Sequence, residues 1–333
     1  KSEERVRYEN EELTLDDYEK EVILKPIKKL IPKASSGRAR HLTLPQYISF
    51  TIKDKKLCLN IEEQEGVCNG EKVIENATCK NMQSDNAAFE GWAICLKAWL
   101  PEKIETVELK WDVPHDIDEK DNKWCHYRRF LYRVLRFSEQ YDWFIISPDN
   151  SLEVDNLKNI LDNLQNNSFS KLPDPKGDFN KLGETAVEYL MATKFSNEVR
   201  KRFNLDFIDR QFPVGVKKDG DKFFTGGLSA IDLWGTKDDI LTIIELKYIG
   251  KKERNRNIKV GIISELFMYS CIMRDILNGF ISKPQFTSNK NEEFLYNNKK
   301  QYKQIKAYML ADEYHPLVDN PKVIDVLNDY SKY

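Results

Sequence analysis

Three residues have the types and spacing for metal-assisted chemistry. Asp232 lies in the run Ser-Ala-Ile-Asp-Leu-Trp (229–234), and Glu245 and Lys247 lie in Leu-Thr-Ile-Ile-Glu-Leu-Lys-Tyr (241–248). Both runs read as strands, and a charge buried in such a run without a partner is expensive. Glu245 and Lys247 are two apart on a strand, so they share a face. The turn at 235–239 makes the two runs antiparallel neighbours and brings Asp232 within reach of Glu245. Two carboxylates, the Leu246 carbonyl and water suit a hard cation such as Mg²⁺. Such a cation lowers the pKa of a bound water and neutralises charge on a phosphate, and Lys247 adds a point cation beside it. This is equipment for phosphodiester hydrolysis. The alternative is a buried Asp/Glu–Lys ion pair bracing a hairpin, although such pairs often add little net stability.

The elements that must position these residues follow from pattern. Glu184–Phe195 reads as a helix, with Glu184 and Glu188 on one face. Leu205–Val216 is extended and ends at Lys218-Asp219-Gly220-Asp221, a hairpin signal. Phe223–Trp234 returns and Ile240–Tyr248 follows as a third strand, apolar on both faces apart from Glu245 and Lys247, hence central and covered by helices. A helix from Ile258 to Leu277 and a strand at Gln304–Ala311 complete the order α-β-β-β-α-β. Upstream, Tyr47–Ile52 and Lys56–Ile61 form a predicted hairpin, Ala87–Leu100 and Trp124–Tyr141 predicted helices, and Glu105–Val113 and Trp143–Ser147 predicted strands. Residues 62–85 show no strong periodicity. The expected organisation is a charged arm (1–40), an α+β domain (41–165), an Asn/Ser/Pro-rich linker (166–180) and a second α/β domain (181–333).

Asp232…Glu245-Leu246-Lys247, after a helix carrying Glu184 and Glu188 and before a long helix, resembles the PD-(D/E)XK nuclease superfamily. The resemblance covers roughly 180–312 and departs at Ile231, where the motif has Pro. It implies a restriction-endonuclease-like core, a central mixed sheet flanked by helices, and hydrolysis of DNA or, less often, RNA with Mg²⁺ or Mn²⁺ to leave a 5′-phosphate. By this resemblance Asp232 and Glu245 are metal ligands and Lys247 is the catalytic lysine. One helix acid, Glu184 or Glu188, helps bind metal, and the motif does not choose between them. Members also carry Q-x-x-x-Y on the second helix. Here Glu265 stands in the Gln place and Tyr269 in the Tyr place. A catalytically inactive module of the same fold that binds nucleic acid or a protein is the competing expectation.

Lys251, Lys252, Arg254, Arg256 and Lys259 follow the third strand directly and are placed to hold phosphates flanking a scissile bond, the alternative being a solvated loop. Arg129, Arg133 and Arg136 recur on one helical face among aromatics, which suits either phosphate contacts or a plain amphipathic helix. Val107-Glu108-Leu109-Lys110-Trp111 echoes the 244–248 run, without an Asp a hairpin upstream. His315 follows the last strand. A net charge of −2 means that a nucleic-acid partner, DNA before RNA, needs a local basic patch. No apolar run approaches the ~18 residues of a membrane span, no signal-peptide apolar region lies near Lys1, and the six cysteines show no C-x-x-C pair. The expectation is a cytoplasmic protein with free thiols, compatible with a homodimer, and without nucleotide-triphosphate or zinc motifs.

Overall fold

The computed structural model describes residues 4–9, 11–32, 42–68, 71–115, 117, 121–167, 174–175, 183–224, 229–247, 259–287 and 289–329. The chain divides into two compact units, one of residues 1–157, 259–261 and 314–333, the other of 158–258 and 262–313. The division therefore falls earlier than the expected linker at 166–180, and the end of the chain groups with the first unit. Mixed sheets flanked by helices run through both.

In the first unit the expected arm is structured over Arg5–Leu30. Strands β1 (Arg5–Tyr8) and β2 (Glu11–Thr14) form a hairpin. Helix α1 (Leu15–Tyr18), capped by the Thr14 hydroxyl, passes through a π-helical stretch (Glu19–Leu24) into α2 (Lys25–Leu30). Leu15, Tyr18, Ile23 and Ile27 are buried, so sparse apolar residues at helical spacing supply an inward face. The Tyr18 hydroxyl bonds both the N–H and the C=O of Ile52, and Glu19 Oε1 accepts the Phe50 N–H at 2.9 Å. These contacts lie on β3 (Ile48–Lys53), which pairs with β4 (Lys56–Ile61) as predicted, through a turn with Asp54 and Lys55 left-handed. A second hairpin, β5 (Gln64–Cys68) and β6 (Glu71–Glu75), occupies the stretch without periodicity.

Helix α3 (Phe89–Trp99), β7 (Thr106–Trp111), α4 (Asn122–Gln140), β8 (Phe144–Ile146) and α5 (Ser151–Lys158) follow. The sheet order is β3-β4-β7-β8, antiparallel once and then parallel twice, the parallel joins being made through α3 and α4. Of the expected arginine face, Arg129 and Arg133 lie in the interior, while Arg136 is half-buried and pairs with Glu139 at 2.8 Å. Arg133 is 2% exposed, and its Nε donates to Glu90 Oε1 at 2.7 Å; Arg129 is buried, with Nη2 3.0 Å from His126 Nδ1. Neither is presented to a phosphate. The Glu108 and Lys110 echo lies on β7, ion-paired with Lys56 and Asp149.

In the second unit, β9 (Leu164–Asn167) lies within the Asn-rich stretch yet pairs with β11 (Gly215–Lys218), which turns through left-handed Asp219 and Gly220 into β12 (Asp221–Lys222). The predicted helix at 184–195 is α6 (Glu184–Ala192), and a second helix, α7 (Ser196–Phe203), follows it in the stretch before the first strand. The main sheet has the order β10-β13-β14-β15, where β10 is Phe207–Pro213, β13 Ala230–Lys237, β14 Ile240–Lys247 and β15 Gln304–Ala311. β10, β13 and β14 are antiparallel neighbours, and β14 pairs in parallel with β15. Helix α8 (Gly261–Leu277) lies between β14 and β15 in the chain, with α9 (Lys290–Asn298) in the stretch read as polar. One sheet face packs Ile208, Leu233 and Ile244 against Val199 and Leu205, with Met191, Phe203 and Leu310 around them. Trp234 carries the other face, against Phe207 and Phe212. Fully burying a side chain of this size contributes about 1.5–3 kcal/mol, so this core can hold charged groups in β14. Gly235 lets β10 approach closely, since a Cβ there would stand 2.4 Å from the Phe207 carbonyl oxygen.

Candidate active site

β13 and β14 stay in register as far as Leu233↔Ile244. One step further, Asp232 faces Glu245, and the Asp232 side chain takes over the contact, with Oδ2 accepting the Leu246 N–H at 2.7 Å. Leu246 itself stays in register with Leu310 of β15. Lys247, alternating onto the face of Glu245, donates to Glu245 Oε1 at 2.6 Å. Its Nζ also lies 3.0 Å from Glu265 Oε2 and 3.9 Å from Glu184 Oε1. Three elements thus meet at one ammonium: β14, α8 and the start of α6.

On α8 the i, i+4 pair behaves as its spacing predicts. The Tyr269 hydroxyl donates to Glu265 Oε1 at 3.1 Å, and both side chains are buried. The Glu265 carboxyl turns Oε1 to the Tyr269 hydroxyl and Oε2 to Lys247 Nζ, 3.0 Å away. The two α6 acids separate. Glu184 reaches Lys247, while Glu188 is buried beside β10, with Gln211 Nε2 donating to its Oε2 at 3.5 Å and Arg210 Nη1 3.6 Å from its Oε1. Arg210 also donates to Asp174 at 2.8 Å and lies over the Tyr189 ring.

The charges are strongly coupled. Burial pushes the Glu245 carboxyl well above the usual range, and Asp232 and Glu265 push it further. Burial raises Asp232 to about 8 against the pull of Lys247 and the Leu246 N–H. At Lys247 burial opposes the charge, but the combined field of Glu245, Glu265, Asp232 and Glu184 outweighs it, so the ammonium titrates above its ordinary value. Burial lifts Glu188 to about 7 although Arg210 opposes it. Carboxylates held at such cost are characteristic of functional sites.

A divalent cation fits this donor set. Glu245 Oε2 is a buried oxygen without a hydrogen-bond partner among the described residues. The donors are all hard oxygens, and Asp232, Glu245, Glu265 and Glu184 surround a single ammonium. Among the described residues no three His, Cys, Asp or Glu side chains are grouped to hold a metal by themselves. Mg²⁺ characteristically takes only one or two carboxylates and completes its shell with water and substrate phosphate, and Asp232 with Glu245 supplies that number.

Lys251, Lys252, Arg254 and Arg256 lie outside the described residues. Lys259 is exposed and groups with the first unit. His315 belongs to that unit too, edge-on to Trp92, with Nδ1 accepting the Leu317 N–H at 3.2 Å; it is not part of this cluster. Arg210 and Gln211 escaped the sequence reading. Their trace was the polar trio Asp-Arg-Gln inside the apolar strand 207–213, which breaks the alternation. Among the described residues no helix is long and apolar enough to cross a membrane, and Cys58, Cys79 and Cys95 are free thiols. No protein-family model, curated protein or solved structure matches this chain.

Proposed function

We propose that the second unit is a divalent-metal-dependent nuclease of the PD-(D/E)XK type, acting on phosphodiester bonds of DNA or RNA. The observation that carries this reading is the Lys247 ammonium held between Glu245 and Glu265, with Asp232 facing Glu245 across two diverging strands. The element order α6, β10, β13, β14, α8, β15, with β14 central and β15 parallel to it, supports a restriction-endonuclease-like core.

Asp232 and Glu245 would hold Mg²⁺ or Mn²⁺, with Glu184 on α6 beside them. A cation there activates water as a nucleophile and offsets phosphate charge. Asp232 and Glu245 must be ionised to bind it, so binding releases protons. Lys247 stays charged at neutral pH. Its part is to orient water and stabilise the negative charge that grows on the phosphate, rather than to accept a proton. Glu265 and Tyr269 fix the ammonium, which spares it reorganisation during the reaction.

The test compares wild type with Lys247→Ala on labelled DNA and RNA in Mg²⁺. Loss of a preorganised electrostatic group of this kind costs on the order of 100- to 1,000-fold. Equal, background-level cleavage by both would sink the enzyme reading. Calorimetric titration with Mn²⁺ gives the companion measurement: Asp232→Ala is expected to abolish binding seen in wild type.

A further inference from the structure

Gln211 has a backbone conformation that a plain strand has no use for. β10 pairs with β13 on either side of it, Arg210 with Leu233 and Phe212 with Ile231, and the register passes over the place where Gln211 faces Asp232. Its φ is +57°, a left-handed conformation that costs an L residue energy and that persists only where its surroundings enforce it. The consequence shows in the aromatics. Phe207 and Phe212 are five apart, so a regular strand would send them to opposite faces; both instead pack on Trp234. The alternation slips once between them, and Gln211 is the left-handed residue in that interval. The slip brings two consecutive side chains, Arg210 and Gln211, to the same carboxylate, Glu188. Gln211 and Glu188 are each 4% exposed, so this contact is made in the interior. Glu188 stands one helical turn after Glu184, which reaches Lys247.

We propose that Gln211 is a positioning residue of the candidate site: its left-handed backbone aims the side-chain amide at Glu188 and so fixes the turn of α6 that carries Glu184 against the strand position of Asp232. The proposal rests on the nuclease reading. It adds a residue that acts through Glu188, and whose strain is maintained for the geometry it delivers.

Gln211→Gly separates the two roles, because glycine adopts the left-handed backbone freely while the side-chain amide is lost. Gln211→Glu is the second variant, close in shape but without the N–H donor. Both are compared with wild type by thermal melting, Mn²⁺ calorimetry, cleavage, and amide exchange across α6. For Gln211→Gly we expect a cooperative melt, faster exchange at 186–190 with β14 unchanged, and Mn²⁺ affinity and cleavage each lowered about 10- to 100-fold, the usual effect of losing a group that orients a ligand. Gln211→Glu should show the same losses. Wild-type exchange in α6 for both variants overturns the proposal whether or not the protein cleaves. Unchanged Mn²⁺ affinity and cleavage in a folded Gln211→Gly protein overturn it as well. A wild type that neither binds Mn²⁺ nor cleaves, but whose α6 still loosens in both variants, overturns the nuclease reading and leaves the Gln211 contact established.

Discussion

Lys247 is surrounded by four carboxyl groups, and that sets its chemistry. Glu245, Glu265, Asp232 and Glu184 all favour its charged form and lift its titration above the ordinary lysine value. A lysine acting as general base would need the opposite shift. The pH dependence of cleavage should follow. Activity is expected to rise with pH as the active-site carboxylates lose their protons, and kcat/KM should not fall from loss of the lysine's charge at any pH below about 10, the free lysine range. An alkaline decline centred near pH 8 that disappears in Lys247→Arg would contradict this account. The same residues show what a sequence can disclose. Asp232, Glu245 and Lys247 were legible because each is a charge in an apolar run, and Glu265 with Tyr269 because i, i+4 spacing aims two side chains at one point. Glu184 and Glu188 were equivalent on a helical wheel. Only the partners on other strands, Lys247 for one and Gln211 for the other, tell them apart.

Elements with a local signature were readable, and elements defined by distant partners were not. The β3–β4 hairpin, β14 and β15 carry their own turn residues or alternation, and they fall within a residue or two of expectation. β9 does not: Leu-Gln-Asn-Asn has no strand preference and exists because β11 pairs with it. Helix α4 was misread for a related reason. Its arginines recur on one face and look solvated, but Arg133 is matched by Glu90 on α3 and turns inward. That pair gives a prediction at the scale of the helix packing. Glu90→Ala leaves a buried guanidinium without its carboxylate and should cost about 3–5 kcal/mol, whereas the double change Glu90→Leu with Arg133→Met should recover most of the loss. Urea unfolding of the three proteins decides. A single variant as stable as wild type would mean that the interior pair contributes nothing.

Across the whole molecule, buried groups respond to pH with opposite signs. In the second unit without divalent cation, Asp232 titrates near 3.8 when unfolded and at about 8 when folded. The folded state keeps the proton in that window, so stability from this group is full below the unfolded value and is lost as pH rises through the folded one. In the first unit, burial lowers His315 from 6.5 to about 4. The unfolded chain takes up that proton first, so the His315 contribution is present above 6.5 and is lost as pH falls through about 4; protonation also removes the Nδ1 acceptor for Leu317. Between these limits metal-free protein should gain stability from His315 and lose it from Asp232 as pH rises, while in the first unit Asp85, raised by burial to about 6, works against His315. Peak-resolved unfolding by NMR at several pH values measures both slopes. Relative to wild type, His315→Asn should lower the first unit's slope, and saturating Mg²⁺ should reverse the second.

The contacts of Tyr18 and Glu19 with β3 carry a consequence for the company the protein keeps. An outermost strand ordinarily offers its free amides and carbonyls to any passing chain, the first step toward strand addition and fibrils. Here two side chains occupy those groups at Phe50 and Ile52. The short helical stretch around them works as a guard rail: it closes that side of the sheet to recruitment and makes an apparently dispensable charged lead-in part of what keeps the protein dispersed.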